Sequence, residues 1–199
     1  MAARRGRPAS IDPGAVVATA VALFCDQGYA ATTMEQVATA AGISRKSLFT
    51  YFPSKSDLIW DRLAPYVEDL RNDLSRQDGP EGLDAAVHAI VEGISRWPEQ
   101  RDVFRLHTRL VLTEPALVDL VEVRSRPWRS QLADYLSTSL GAGSALPEAM
   151  AYGCWRATLR GLQRWLDTDD DAPTSHVSAE LRSLLVAAAR LEACDYVQA

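Results

Sequence analysis

Apolar residues recur at three- and four-residue spacing along most of the chain, and alternating runs of β-branched residues are absent, so the pattern predicts an all-α protein. The first stripe, Val16, Ala20, Leu23 and Phe24, follows Asp12 as N-cap and Pro13 at the first helical position, and it ends at Gly28. Thr33 opens a short helix with Gln36 three residues on as a capping box and Val37 and Ala41 facing inward, until Gly42 breaks it. Ser44 caps a third, very short helix through Thr50, which Pro53 cannot continue. Ser54 then starts a long helix through Asp57, Leu58, Trp60 and Leu63 towards Gln77, which Pro65 should bend or shift at its start.

Beyond the turn QDGPEG, helices are expected over residues 81–96, 99–112, 115–140, 147–167 and 175–193. Prolines at 80, 98, 115, 147 and 173 fall at these starts, where a missing N–H costs nothing. DTDDDAP reads as a flexible linker, and no internal repeat is visible.

Within TTMEQVATAAGISRKSLFTYFPSKSDL, residues 32–58, two short helices separated by AAG fit a helix-turn-helix, whose second helix enters the DNA major groove N-terminus first. Arg45, Lys46 and Ser47 stand in the first turn after the Ser44 cap, where phosphate is favoured and long basic arms reach guanine edges. Leu48 and Phe52 face inward, Thr50 and Tyr51 offer hydroxyls to the DNA backbone, and Lys55 at the next helix start completes the row. Arg4, Arg5 and Arg7 precede the first helix, either as a solubilising tail or as an arm that tracks the groove or the phosphates.

Charge supports this placement only once it is divided. The formal net charge of the 199 residues is -5, which on its face argues against a nucleic-acid partner. Residues 1–62 hold seven basic residues against five acids, a balance of +2, which leaves -7 on the remainder. A positive front on an acidic body suits a protein of which only the front meets phosphate. Hydrophobic residues at 47% and charged residues at 24% are ordinary for a soluble domain, and no apolar run approaches the roughly 18 residues of a membrane span. MAARRGRPAS lacks the apolar core of a secretory signal, so a cytoplasmic protein is expected. Cys25, Cys154 and Cys194 form no C-x-x-C pair and read as apolar fillers, with a redox-sensing thiol as the alternative.

On the stretch quoted above, the chain resembles the TetR family of transcriptional regulators over roughly residues 12–62, in the frame VA..AG.S...L...F..K..L and the helix that follows. The resemblance implies an all-helical homodimer. Three DNA-reading helices precede a helical ligand-binding and dimerisation bundle, about nine helices in all, and most such proteins are repressors released by a small effector. The domains expected are a basic arm over 1–10, a helix-turn-helix domain over 11–53 and the bundle over 54–199. Thr33, Arg45, Lys46, Ser47, Thr50, Tyr51 and Lys55 are the implied contacts to an inverted-repeat operator, and Phe49 stands where a tyrosine is frequent.

In the acidic remainder, Phe104, Leu106, His107, Leu110, Val111, Leu117, Leu120 and Trp128 form either a packed core or a deep apolar pocket. In the second reading its mouth is made by Arg105, Arg109, Arg124, Arg126 and Arg129 and suits a lipid-like or aromatic acid. Its candidate residues are Phe104, His107, Arg109, Val111, Trp128, Tyr152 and Trp155. RLHTRLVLTEPALVDLVEVRSRPWRSQLADYL and YFPSKSDLIWD further resemble an actinobacterial subgroup that includes the mycofactocin-system regulator, which implies a long-chain acyl-CoA effector. The stripes of the last two helices read as core, or as a four-helix interface with a second copy, as the family implies. The candidates there are Leu159, Leu162, Trp165, Leu166, Leu181, Leu184, Leu185 and Ala188, with Trp155 or Trp165 as anchor.

Enzyme signatures are missing: there is no G-x-S-x-G, no phosphate-binding G-x-x-x-x-G-K-[ST] and no H-E-x-x-H. His88, His107 and His176 lack metal-ligand spacing, GAGSAL lacks the third glycine of a dinucleotide loop, and DTDDDA has Ala172 where a calcium loop needs glycine. No enzyme and no cofactor are expected, and the competing readings are a helical adaptor that binds protein only and an enzyme built on a buried carboxylate pair.

Overall fold

The computed structural model describes residues 11–60, 63–75, 81–96, 101–140, 143–168 and 172–192, so Arg4, Arg5, Arg7 and Cys194 lie outside the described residues. These residues hold helices and no strand. The chain forms two compact units, the first ending at Ile59 and the second beginning at Trp60.

Unit 1 is built by local signals. α1 (Pro13–Gln27) starts where the Asp12 carboxylate accepts from the N–H groups of Gly14 and Ala15 at 2.9 and 3.3 Å. Its buried face is Val16, Val17, Ala20, Val21 and Phe24, while Leu23 is only half-buried. α2 (Met34–Ala40) carries the full capping box, with Thr33 Oγ1 accepting from Gln36 N and Gln36 Oε1 accepting from Thr33 N. Gly42, at φ 67°, turns the chain in the left-handed region, and Ser44 caps α3 (Arg45–Tyr51). Ser54 and Asp57 then bond reciprocally at the start of α4 (Asp57–Trp60), whose last residue opens unit 2. Val37, Leu48, Phe52, Leu58 and Ile59 are buried with the α1 stripe.

Unit 2 comprises α5 (Leu63–Leu74), α6 (Gly82–Ser95), α7 (Arg101–Thr113), α8 (Pro115–Arg124), α9 (Arg126–Leu140), α10 (Leu146–Leu166) and α11 (Pro173–Glu192). The expected helix from Ser54 is present as α4 and α5, with Pro65 in the first turn of α5. The single helix expected over 115–140 is two. Pro127 has no N–H to return to the carbonyl four residues back, and α8 ends with a cap at Ser125.

α10 is the central element of unit 2, packing against α7, α9 and α11. Met150, Ala151, Cys154, Trp155, Ala157, Thr158, Gly161 and Trp165 are buried along it. At Gly161 the backbone of α11 comes so close that a Cβ would sit 2.7 Å from Val177 N. Arg160 and Arg164 of α10 reach Glu180 of α11 at 3.2 and 2.7 Å. Between α5 and α6, Arg96 grips Asp73 through two nitrogens at 2.7 and 2.8 Å, and that carboxylate raises the pKa of the guanidinium.

Candidate functional site

α3 is a seven-residue helix with two unlike faces. Leu48 and Phe52 are buried and hold it to unit 1, while Arg45, Lys46, Phe49, Thr50 and Tyr51 are exposed. The helical repeat pairs 45 with 49 and 46 with 50 on that outer face. The Arg45 guanidinium carbon lies 5.5 Å from the Phe49 ring centroid, a cation–π contact on the exposed face. The signal for it was the i, i+4 spacing. Thr50 Oγ1 donates to Lys46 O at 2.9 Å, which leaves its lone pairs outward. Tyr51 is 50% exposed with its side chain on the rim of the same face.

Ser44 Oγ accepts from Ser47 N at 3.0 Å and lies 2.8 Å from Ser47 Oγ, so both hydroxyls are part of the cap as well as of the surface. They border a groove of about 510 Å³ between the start of α1 (Asp12, Ala15, Thr19) and the α2–α3 turn. Thr33 is exposed, but its oxygen is shared with the capping box. Lys55 departs from the row expected for it. Its Nζ donates to the carbonyls of Tyr29 and Thr32 at 2.6 and 3.0 Å, lies 3.4 Å from that of Ala30, and sits 4.4 Å from the Tyr29 ring centroid. The charge points into unit 1 and closes the loop between α1 and α2.

In unit 2, Phe104, His107 and Val111 of α7 and Trp155 of α10 do line one apolar cavity, of about 70 Å³. Trp60 and Thr158 line it too and were missed, because spacing along one helix does not show what faces it from another, as was Thr108, a polar residue of α7 itself. The arginine mouth is not formed. Arg105 stacks 4.9 Å from the Trp165 ring and donates to the carbonyls of Trp165, Leu166 and Thr168 at the C-terminal end of α10, where a cation is favoured. Arg129 donates to Glu122 O at 2.7 Å at the end of α8 and lies over Tyr152, and Arg109, Arg124 and Arg126 are exposed. Trp128 is fully buried behind Trp155, with ring centroids 5.4 Å apart, and Tyr152 is 45% exposed, so neither it nor Arg109 or Tyr152 is in the cavity wall.

Two family models match the chain: bacterial regulatory proteins of the TetR family over residues 16–59, and the MftR C-terminal domain over residues 81–190. The chain belongs to the TetR family. It is therefore a DNA-binding transcriptional regulator of the helix-turn-helix type and not an enzyme. Among its relatives is a protein of Mycobacterium tuberculosis described as a mycofactocin biosynthesis transcriptional regulator, MftR, 25% identical over 88% of this chain and 90% of that protein. The transcriptional activator FasR of Mycolicibacterium smegmatis is 25% identical over 83% of this chain and 78% of its own length. Among solved structures, the TetR-family repressor FadR of Thermus thermophilus, in complex with lauroyl-CoA, shares the fold at a TM-score of 0.55, covering 87% of this chain and 93% of that one at 22% identity.

In this TetR-family chain the residues expected at a dimer interface divide. Trp165, Leu166 and Leu181 are buried within unit 2 itself, the first two in a cluster with Phe104, and cannot anchor a second copy. Leu159 and Leu162 are half-buried and line the cavity, as does the other proposed anchor, Trp155. Leu184 packs over Gly153, while Leu185 and Ala188 remain half-buried on α11. Cys154 is shut in the core, and burial pushes its thiol up to about 12, which makes it inert as a redox sensor.

Proposed function

We propose that this regulator is a homodimeric repressor that reads an inverted-repeat operator with α3 of each copy and is released when a small effector enters the α7–α10 cavity. The observation that carries the DNA assignment is the outer face of α3. Arg45 and Lys46 are exposed with Thr50 and Tyr51 beside them, and buried Leu48 and Phe52 hold the helix rigid behind them. Arg45 and Lys46 are assigned to base edges and nearby phosphates, and Ser44, Ser47, Thr33, Thr50 and Tyr51 to the DNA backbone. Arg4, Arg5 and Arg7 extend the positive front along the duplex. Lys55 is assigned to holding the α1–α2 loop.

Two copies are needed because one seven-residue helix reads few bases. The surface favoured for pairing is the outer face of α10 and α11 around Arg156, Arg160, Ser183 and Ala187, which borders a groove of about 740 Å³. For the effector, the apolar wall of the cavity suits an acyl chain, and the lauroyl-CoA complex of the Thermus relative supports that class. At about 70 Å³ the cavity is far below the roughly 300 Å³ of a typical ligand site, so a chain can enter only by separating its walls. That displacement is the coupling: a ligand that favours the widened form binds less well to the DNA-bound dimer.

The test is selection of random duplexes by the purified full-length protein, followed by titration of the winning duplex with acyl-CoAs of several chain lengths. Enrichment of an inverted repeat, and its release by one of them, are the expected results. Enrichment of half-sites without symmetry overturns the dimer, and raised transcription from the operator overturns repression in favour of activation.

A further inference from the structure

Two hollows of unit 2 share a wall. The cavity of about 70 Å³ and the groove of about 740 Å³ beside α10 and α11 are both lined by Val111, Leu112, Val121 and Leu159. These four side chains stand between the two spaces. None of them carries a polar atom, so no side-chain hydrogen bond fixes them and a change of rotamer opens a passage.

The inner part offers hydrocarbon. Ile94, Phe104 and Leu162 line only this part, and its surface is almost wholly apolar although His107, Thr108 and Thr158 are among its residues. The outer part offers cations. Arg156 lies 3.6 Å from Glu122 and Arg160 lies 3.2 Å from Glu180, and because all four residues line the groove, both guanidinium groups are at its surface. Each carboxylate is shared with a second arginine, Glu122 with Arg129 at 3.7 Å and Glu180 with Arg164 at 2.7 Å. These groups together carry an excess of two positive charges, in the part of the chain whose balance is -7. The Arg156 contact is too long for a hydrogen bond, and the side chains of Arg156 and Arg160 are 58% and 68% exposed, so both keep donors for another anion.

We infer that cavity and groove form one site for an amphipathic anion, its hydrocarbon chain passing between Val111, Leu112, Val121 and Leu159 into the cavity and its carboxylate or phosphate held by Arg156 and Arg160. This rests on the reading of the cavity as the effector site and deepens it. The cationic mouth that the sequence pattern assigned to α7, α8 and α9 is supplied by α10. An ionised head left in the groove keeps part of its water, which avoids the cost of burying it. The groove also borders the face favoured for pairing, so a head held there bears on how the second copy sits.

The experiment is calorimetric titration of the full-length protein, and of a variant carrying both Arg156→Ala and Arg160→Ala, with octyl phosphate, octanoate, octanol, octylammonium and butyl phosphate. The two octyl anions should bind at least about fivefold more tightly than octanol, the tighter of them naming the head, and octylammonium should bind most weakly. Octyl phosphate should exceed butyl phosphate at least about tenfold, because its longer chain buries more hydrocarbon. In the double variant the anions should weaken about tenfold, octanol should stay within about twofold, and octylammonium should bind more tightly because Glu122 and Glu180 each lose a partner. Octyl anions that bind the variant as tightly as the native protein would overturn the head site while the cavity reading stood. Octanoate weakened by His107→Gln and not by the arginine variant would put the head inside the cavity, with the same consequence. Equal binding of butyl and octyl phosphate, lost for both in the arginine variant, would overturn the passage between groove and cavity. Failure of every octyl compound to bind would overturn the cavity reading as well. If the variant does not fold, the native protein decides: octanol or octylammonium bound as tightly as the anions overturns the proposal.

Discussion

Lys55 shows how a single side chain separates two roles that look alike in sequence. Its ammonium meets the carbonyls of Tyr29 and Thr32 and the Tyr29 ring, bonds of the charged kind that contribute most. Lys55→Met is therefore expected to lower the unfolding free energy by about 2 kcal/mol, measured by urea denaturation. Unchanged stability with a smaller salt dependence of DNA binding would instead return Lys55 to the phosphate row. Cys154 gives a second prediction. The unfolded thiol ionises near its ordinary value of 9.0 and the folded one only near 12, so between these values the unfolded state binds fewer protons and stability falls as pH rises. The loss is up to about 1.4 kcal/mol per pH unit. The stability difference between the native protein and Cys154→Ala should narrow from pH 8 to pH 10 and stay constant below pH 8. At this scale the caps Asp12, Thr33 and Ser44 were legible because each bonds within three residues of itself. The ends of Lys55, Arg105 and Arg129 were not, because a long cation finds carbonyls 7 to 63 residues away that no local pattern displays.

The helices of unit 1 follow their start and stop signals closely, and α10 and α11 follow their apolar period. What the period does not carry is the identity of the covering surface. Trp165 and Leu181 belong to stripes that would serve a second copy equally well, and their own unit covers them. The break between α8 and α9 was written in Pro127, but flanking apolar spacing continues through it and hides it. Gly161 marks the closest approach of α10 to α11, with Val177 backbone and its Cγ2 where a methyl would go. Gly161→Ala should push the helices apart and cost about 2 kcal/mol despite alanine's better helix propensity, seen as a lower unfolding midpoint. Equal or greater stability would show that α11 yields at Val177 without loss.

Across the whole molecule, charge is divided as function requires. A balance of +2 over residues 1–62 and of -7 over the remainder let the first part of the chain approach phosphate while the rest repels it. The division was legible by counting, and the family could be named from the frame that runs through α2, the Gly42 turn and α3 into the helix that follows. The dimer face and the effector depend on surfaces between helices, which only the folded chain assembles. Binding to DNA is expected to weaken steeply with salt, because each phosphate met by a cation releases counter-ions. The most direct test of the account is the affinity for the selected operator of the protein carrying both Arg45→Ala and Lys46→Ala, across salt concentrations. Each arm is worth about 1–3 kcal/mol against a base edge, so the double variant should lose about 100-fold or more in affinity and part of its salt dependence. Its unfolding midpoint and molecular mass in solution should stay unchanged. Native affinity retained in that variant would contradict the assignment of α3 as the reading helix.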